Sequence, residues 1–369
     1  MNLVGWRASQ FATKSYTRAF MGRNAVATIT ELAQYDEIID VRTPAEFALD
    51  HLPGATNCPV LSNEERVIVG TLYKQVSPFA ARQRGAQFIS RNIAQHLEQQ
   101  FEGKPKNWQP LIYCWRGGMR SGAMVHILRQ VGWSAGQLHG GYQAFRRHVV
   151  ADLETLSPQF RYVVLCGKTG SGKTRLLEAL DSMNAQVLDL EKLAEHRGSV
   201  LGAIPDQLQP SQKRFETLLW QKLQSFDASK PVFVEAESRK IGSVSLPITF
   251  AAAMQDKGQL ITVETPFAAR VKLLIEGYQH FLADPTAIKV LLEHLLSVRG
   301  RETITHWQTL ADQGAWTTLV EELLEHHYDP SYLRSAKMRA GHYAAAQTME
   351  LDDIQSDSIA NTAKKLIAI

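Results

Sequence analysis

Short apolar runs that stop at polar loops alternate along most of the chain with segments carrying apolar residues at three- and four-residue spacing. Ile38-Ile39-Asp40-Val41 and Leu111-Ile112-Tyr113 are such runs within residues 24–148. Tyr162-Val163-Val164-Leu165, Val187-Leu188-Asp189, Val232-Phe233-Val234-Glu235 and Leu260-Ile261-Thr262-Val263-Glu264 follow the same plan further on. Runs this short, bounded by loops, predict buried parallel strands, and the periodic segments between them predict helices. Past Pro266 the spacing turns wholly helical, over 268–283, 286–298 and 316–328. Residues 151–160, broken at Ser157-Pro158, read as a linker. The expected architecture is α/β in two parts: a parallel-sheet domain over 24–150, then a second α/β domain over 161–369 with a helical carboxy-terminal extension.

Composition narrows the class. With 44% apolar and 21% charged residues the chain is an ordinary globular one, and disorder, collagen and coiled coil are excluded as its main state. No apolar run approaches the roughly 18 residues that would span a bilayer, so no membrane partner is expected. Forty basic against 37 acidic residues leave a formal charge of +3, which allows a nucleic-acid partner through a local basic face without requiring one. Three cysteines, Cys58, Cys114 and Cys166, are too few for a disulfide framework and point to a reducing, cytoplasmic setting. Residues 1–23 read as a leader outside the fold. From Met1 to Thr30 there is no acid, whereas Arg7, Lys14, Arg18 and Arg23 are basic. That composition resembles a transit peptide; an upstream start codon, with Met21 as the alternative start, or a solvated leader is the favoured reading.

Two loops carry chemistry. Gly167-Lys168-Thr169-Gly170-Ser171-Gly172-Lys173-Thr174 fits G-x-x-x-x-G-K-[ST], after an apolar strand and before a helix starting near Arg175. The glycines let backbone N–H groups face a diphosphate at a helix start. Lys173 would reach terminal phosphate oxygens and Thr174 would ligate Mg²⁺. A carboxylate for a metal-bound water should end a later strand: Asp189 or Glu235, with Glu237 two residues on, each of which also reads as a cap. Cys166, just before the loop, reads as a small buried residue.

The second loop, Cys114-Trp115-Arg116-Gly117-Gly118-Met119-Arg120-Ser121, also joins a strand to a helix. A cysteine facing N–H groups at a helix start has a lowered thiol pKa and becomes a nucleophile at neutral pH. Arg116 and Arg120 reinforce this and can bind an oxyanion. Around this loop the chain resembles the rhodanese family. Ile39–Phe47 is similar to its D-V-R-x-x-x-E-F entry, His51–Asn57 to its H-[IL]-P-G-A-x-N turn, and Leu138–Tyr142 to its closing L-x-G-G segment. Five residues separate Cys114 from Arg120, where the commonest sulfur-transferring rhodaneses have four. The longer ring resembles phosphatase-type relatives, whose ring fits a phosphate-sized tetrahedral anion.

A rhodanese domain followed by a phosphate-loop domain resembles the bacterial tRNA 2-selenouridine synthase family. Asn63–Gln75, the C-x-R-G-G-x-R-S loop itself, Asp189–Ser199, Glu235–Gly242 and Tyr328-Asp329-Pro330-Ser331-Tyr332 are similar to its segments, over about residues 30–340. The resemblance implies a transferase that geranylates wobble 2-thiouridine with geranyl diphosphate and then replaces the S-geranyl group with selenium from selenophosphate. It implies tRNAs for lysine, glutamate and glutamine as partners, and selenophosphate synthetase as a supplier. Geranyl diphosphate is assigned to the phosphate loop and the selenium species to Cys114, as a perselenide or as ring-bound selenophosphate. Contacts to tRNA or to a substrate are expected at His196, Arg197 and Arg239, which follow strand ends where ligands bind, with Lys240, Arg299, Arg301, Arg334, Lys337 and Arg339 as further cations for tRNA. Trp115 could stack on a base or simply pack. His326-His327 reads as helix surface, and no structural metal is expected. Two other classes compete: a sulfurtransferase or Cys-based phosphatase with an ATPase appended, and a non-enzymatic oxyanion sensor.

Overall fold

The computed structural model describes residues 26–199, 201–205, 207–338 and 346–369. They form two compact units divided in sequence between Asp152 and Leu153. The leader expected over 1–23 lies outside the described residues, as does Arg339.

In the first unit β1 (Val26–Ala27), β2 (Glu37–Asp40), β3 (Ala55–Asn57), β4 (Pro110–Tyr113) and β5 (Gly136–Leu138) form a parallel sheet in the order β1-β5-β4-β2-β3. Every residue of β4 is buried, as the central strand of a sheet covered on both faces must be. The covering helices are α1 (Pro44–Leu49), α2 (Asn63–Gln75), α3 (Pro78–Gln99), α4 (Met119–Val131) and α5 (Gly141–Leu156). Thr43 and Glu46 cap α1 reciprocally and Pro44 takes its first position, so the T-P-A-E stretch is a helix start. Ile39, Val41, Ile112, Met124 and Leu128 pack with Phe101 and Trp108 into one core, which fixes β4 and α4 and therefore the loop between them. The stretch expected as a linker is mostly helical. Its Ala-Asp-Leu-Glu-Thr-Leu half consists largely of good helix formers and completes α5, and only Ser157–Gln159 turn aside, at the proline.

The second unit opens with β6 (Tyr162–Cys166), α6 (Lys173–Ser182), β7 (Gln186–Leu188), α7 (Leu190–Leu193), α8 (Gln212–Gln224) and β8 (Val232–Glu235). A small hairpin, β9 (Lys240–Ile241) and β10 (Val244–Ser245), precedes α9 (Ile248–Lys257) and β11 (Gln259–Glu264). Helices follow: α10 (Phe267–Gly277), α11 (Gln279–Ala283), α12 (Pro285–Leu292), α13 (Leu296–Arg299), α14 (Arg301–Asp312), α15 (Trp316–Leu323) and α16 (Asp329–Met338). The chain then returns to the sheet as β12 (Gln347–Glu350) and ends its described part in α17 (Ser356–Ile367). The helical part is thus an insertion between two strands, and the parallel sheet runs β12-β11-β6-β8-β7.

All three expected helices are interrupted; the one over 286–298 tightens into a 3-10 turn at Glu293–Leu295, between α12 and α13, and the other two break for local reasons. The helix expected over 268–283 breaks at Tyr278. The Gly277 carbonyl accepts from the Arg197 guanidinium instead, and the Phe281 N–H turns back to Tyr278. The helix expected over 316–328 widens into a π turn at Leu324–Tyr328 and continues as α16, whose Pro330 offers no backbone donor. That turn buries His327, which accepts from Arg299 Nε at 3.2 Å. His327 is therefore not helix surface, and Arg299 is engaged inside the protein. Among the described residues no helix is long and apolar enough to cross a membrane.

Candidate active site

Cys114 sits at the carboxyl end of β4, 3% exposed. Its Sγ accepts from the Gly118 N–H at 3.3 Å and from the Ser121 hydroxyl at 3.2 Å, at the first turn of α4. Burial pushes the thiol pKa up. The Ser121 and Gly118 donors and the charge of Arg120 outweigh it, so the pKa lies below that of an ordinary thiol. The loop is held from outside. Gln137 Nε2 donates to the Gly117 carbonyl at 2.8 Å, to the Gly118 carbonyl at 3.1 Å and to Ser121 Oγ at 2.8 Å. With those carbonyls fixed, the Gly118 N–H faces the sulfur. The Leu138–Tyr142 segment closes the ring from below: the Tyr142 and Gln143 N–H groups donate to the Cys114 and Trp115 carbonyls. A Cβ on Gly141 would lie 2.2 Å from the Cys114 carbonyl oxygen, so only glycine fits there.

The two arginines differ. Arg116 is exposed at the loop tip, as are Gly118 and Met119. Arg120 forms a fork to Glu46, at 2.7 and 3.2 Å. It therefore stands beside the thiolate with its own charge largely balanced. Behind it, buried Arg42 pairs with Asp40 and lies 4.0 Å from the Tyr142 ring centroid, tying the D-V-R stretch to the closing segment. Trp115 is half-buried with its ring 5.2 Å from that of Tyr142. Sequence reasoning missed Gln137, Glu46 and Ser121 as the groups that set the sulfur's environment; Ser121 was placed only in the ring.

The phosphate loop follows β6, the central strand of its sheet, and Gly172 caps α6 in the left-handed conformation (φ 83°). Its carbonyls are also held from outside. Thr265 donates to the Ser171 carbonyl at 2.9 Å, and Arg270 Nε to the Thr169 carbonyl at 2.9 Å. Arg270, 3% exposed, forks onto Asp329 at 2.9 and 2.6 Å, and Asp329 lies 3.4 Å from Lys168. Lys173 reaches back to the Gly167 carbonyl at 3.1 Å. The Ser171 hydroxyl is buried without a hydrogen-bond partner among the described residues, so the loop holds an unsatisfied polar group of its own.

Carboxylates crowd this loop. Asp189 caps α7 through the Lys192 N–H, and burial raises its pKa. Glu235 ends β8, 3% exposed; burial and the nearby Asp189 hold its proton well above the usual range. Its Oε1 accepts the Glu191 N–H at 2.8 Å, and its Oε2 is buried without a partner. Glu191 is pushed up to about 8 by burial and by Glu237, with Lys173 pulling the other way. Glu237 is raised by burial, which Lys173 opposes. Glu191 keeps the proton and shares it with Glu237. Gly198 lies against both: a Cβ there would meet Glu191 Oε1 at 2.6 Å and Glu237 Oε2 at 2.7 Å. Glu191 was read as part of a motif and not as a site residue, because nothing local distinguishes it from a surface glutamate on a short helix. A Mg²⁺ ion fits this chemistry, since a magnesium site beside phosphates needs one or two carboxylates and Glu235 has an oxygen to spare.

The expected RNA contacts separate. Arg239 is exposed. His196 is 8% exposed, so its ring faces the interior and cannot track a polynucleotide backbone. Arg197 is spent on the Gly277 carbonyl and lies over the Tyr278 ring at 4.4 Å. Cys166 is buried with its thiol on the Val164 carbonyl, as a structural cysteine.

A rhodanese-like parallel sheet with a stabilised thiolate, followed by a phosphate-loop α/β unit, defines the class. The Rhodanese-like domain profile matches residues 24–148, and that of the tRNA 2-selenouridine synthase AAA domain matches residues 160–290. Among similar proteins, a tRNA 2-selenouridine synthase of Nitrosomonas eutropha is 38% identical over 82% of this chain and 89% of its own length. One from Alcanivorax borkumensis is 32% identical over 82% of this chain and 90% of its own. One from Nitrosomonas europaea is 39% identical over 65% of this chain and 63% of its own length. The chain belongs to the tRNA 2-selenouridine synthase family.

Proposed function

We propose that the protein converts 2-thiouridine at the wobble position of tRNA to 2-selenouridine in two steps, through S-geranyl-2-thiouridine. The observation that carries this reading is the presence, in one chain of this family, of two separate anion loops, only one of which holds a nucleophile. A thione sulfur is a poor leaving group, and alkylation makes it a good one. In the first step the sulfur attacks C1 of geranyl diphosphate; a C–S bond forms, the C–O bond breaks, the electron pair leaves on diphosphate, and the N3 proton of the base passes to solvent. Lys173 and the Gly170–Thr174 N–H groups bind that leaving diphosphate, where negative charge grows. Mg²⁺, held by Thr174 with Asp189 or Glu235, supplies further charge neutralisation when bound. In the second step selenium from selenophosphate adds to C2 of the base. The C2–S bond breaks, geranyl thiolate departs, and water takes the phosphoryl group from selenium. The Cys114 ring binds the selenium-bearing anion. The tRNAs for lysine, glutamate and glutamine are the substrates, and selenophosphate synthetase supplies the donor.

The test is mass spectrometry of tRNA nucleosides from cells carrying the wild type, Cys114→Ala or Lys173→Ala. Cys114→Ala should accumulate S-geranyl-2-thiouridine and lose 2-selenouridine. Lys173→Ala should accumulate 2-thiouridine and lose both products. Normal 2-selenouridine in the Cys114→Ala cells removes that residue's role, and S-geranyl product in the Lys173→Ala cells removes the assignment of the diphosphate.

A further inference from the structure

An apolar cavity opens against the phosphate loop. Thr169 of the loop forms one wall, and the rest comes from Leu201, Tyr278, α10, α11, α12, α15 and the π turn. Leu274, Ile275, Phe281, Val320 and Leu323 line it. Leu274 also touches the loop itself: a Cβ on Gly170 would lie 3.1 Å from it. The two tyrosines of the wall turn their hydroxyls away. That of Tyr278 is hydrogen-bonded to Arg197 and Ser199, and that of Tyr328 to Ser199 and the Leu201 backbone. The lining as a whole is almost wholly apolar, so almost nothing in it can donate or accept a hydrogen bond.

That chemistry selects an occupant. A nucleoside buries ring nitrogens and sugar hydroxyls, and burying them against hydrocarbon without partners is costly. A hydrocarbon chain has no such groups and gains about fourfold in affinity for each methylene removed from water. We infer that this cavity binds the hydrocarbon tail of a diphosphate ester whose head sits in the Gly167–Thr174 loop, and that Val320 and Ile275 set the length of tail accepted. The inference rests on the reading of that loop as a diphosphate site. Both residues are partly exposed, project into the cavity and make no polar contact, so they can be enlarged or reduced without breaking a network.

The experiment is a calorimetric titration with Mg²⁺ of inorganic diphosphate, dimethylallyl diphosphate, geranyl diphosphate, farnesyl diphosphate and ATP. It uses the full chain as wild type, Val320→Phe, Val320→Ala and Lys173→Ala. Wild-type affinity should climb with tail length from inorganic diphosphate to geranyl diphosphate, on the order of 100-fold across the series. Val320→Phe should erase at least about tenfold of that climb and leave inorganic diphosphate binding as it was. Val320→Ala should move the preference toward farnesyl diphosphate, and it carries the test if the Phe variant does not fold. Lys173→Ala should weaken every diphosphate alike. If inorganic diphosphate binds through Lys173 but tail length adds nothing, or if Val320→Phe selectively abolishes ATP binding, the cavity is not a hydrocarbon site. If inorganic diphosphate binding ignores Lys173, the reading of the loop fails instead. The cavity then stands only if free geraniol binds and Val320→Phe removes it, and it falls if geraniol does not bind.

Discussion

The Cys114 loop and the phosphate loop begin alike. Each follows the central strand of a parallel sheet and runs into a helix. In each, side chains from later elements tie down the loop carbonyls: Gln137 in the first, Thr265 and Arg270 in the second. They part company in charge. Around Cys114 the Gly118 and Ser121 donors and the charge of Arg120 favour a negative atom, and the atom is already there, on the protein. Around Lys173 the neighbours are acids, and burial raises their pKa values. The first loop stabilises a negative atom of its own. The second holds an orphan hydroxyl, an orphan carboxylate oxygen and a shared proton, all of which a metal-bound diphosphate would satisfy. A loop that carries its own reactive atom needs donors around it, whereas a loop that grips a ligand keeps groups unsatisfied until the ligand arrives.

The largest test of this contrast is Asp329→Ala. It strips the fork from Arg270, leaving a buried cation with only the Thr169 carbonyl. Breaking such a pair costs about 3–5 kcal/mol, and urea denaturation should read that loss in the second unit. The pH dependence of Cys114 alkylation should not move. Next in size is Ser121→Ala, which removes one of the donors to Sγ. A hydrogen bond to a charged atom is worth about 1.5–3 kcal/mol. Half-maximal alkylation by iodoacetamide should therefore move up by about one pH unit or more, with diphosphate binding untouched. An unchanged alkylation profile would mean that backbone N–H groups alone stabilise the thiolate.

A third test concerns the shared proton. Glu191 titrates near 8 when folded and near 4.3 when unfolded. Between those values the folded state holds the extra proton, so stability falls as pH rises through the window. The ligand-free protein should lose melting temperature from pH 5 to pH 8, and Glu191→Gln, which is neutral throughout, should flatten that slope. Saturating Mg²⁺ and diphosphate should flatten it in the wild type as well. A slope that survives in the Gln variant would assign the proton to another of the carboxylates.

Both loops were legible in the sequence because each is local. Eight consecutive residues contain the strand end, the turn glycines and the reactive side chain, and flanking periodicity gives the context. What escaped is what pairs at long range. Glu46 meets Arg120 across 74 positions, Gln137 reaches back 16–20, and Arg270 finds Asp329 across 59. No short-range pattern marks those partners, since a glutamate in a capping box or a glutamine in an edge-like strand has a sufficient local explanation. The return of the chain as β12 escaped for a related reason. Its Gln-Thr-Met-Glu sequence has one buried residue, Met349, and becomes a strand only by pairing with β11. For His196 and Arg197 the rule that ligands gather at strand ends places backbone but does not say which way a side chain turns.

That late strand bears on how the protein is made. The residue after it, Leu351, lies against the phosphate loop, where a Cβ on Gly172 would come within 3.1 Å of its side chain. Arg175, in the first turn after the loop, donates to the carbonyl of Ile354, 179 residues later. Helix α17 packs along α6 over the same stretch. At a translation rate of about 5–20 residues per second, roughly 9 to 36 s separate the emergence of the loop from that of its final wall. The Cys114 loop has no such wait, since Gln137 and Tyr142 follow within 28 residues of the cysteine. On the ribosome the thiolate ring is assembled while the phosphate loop still lacks its floor.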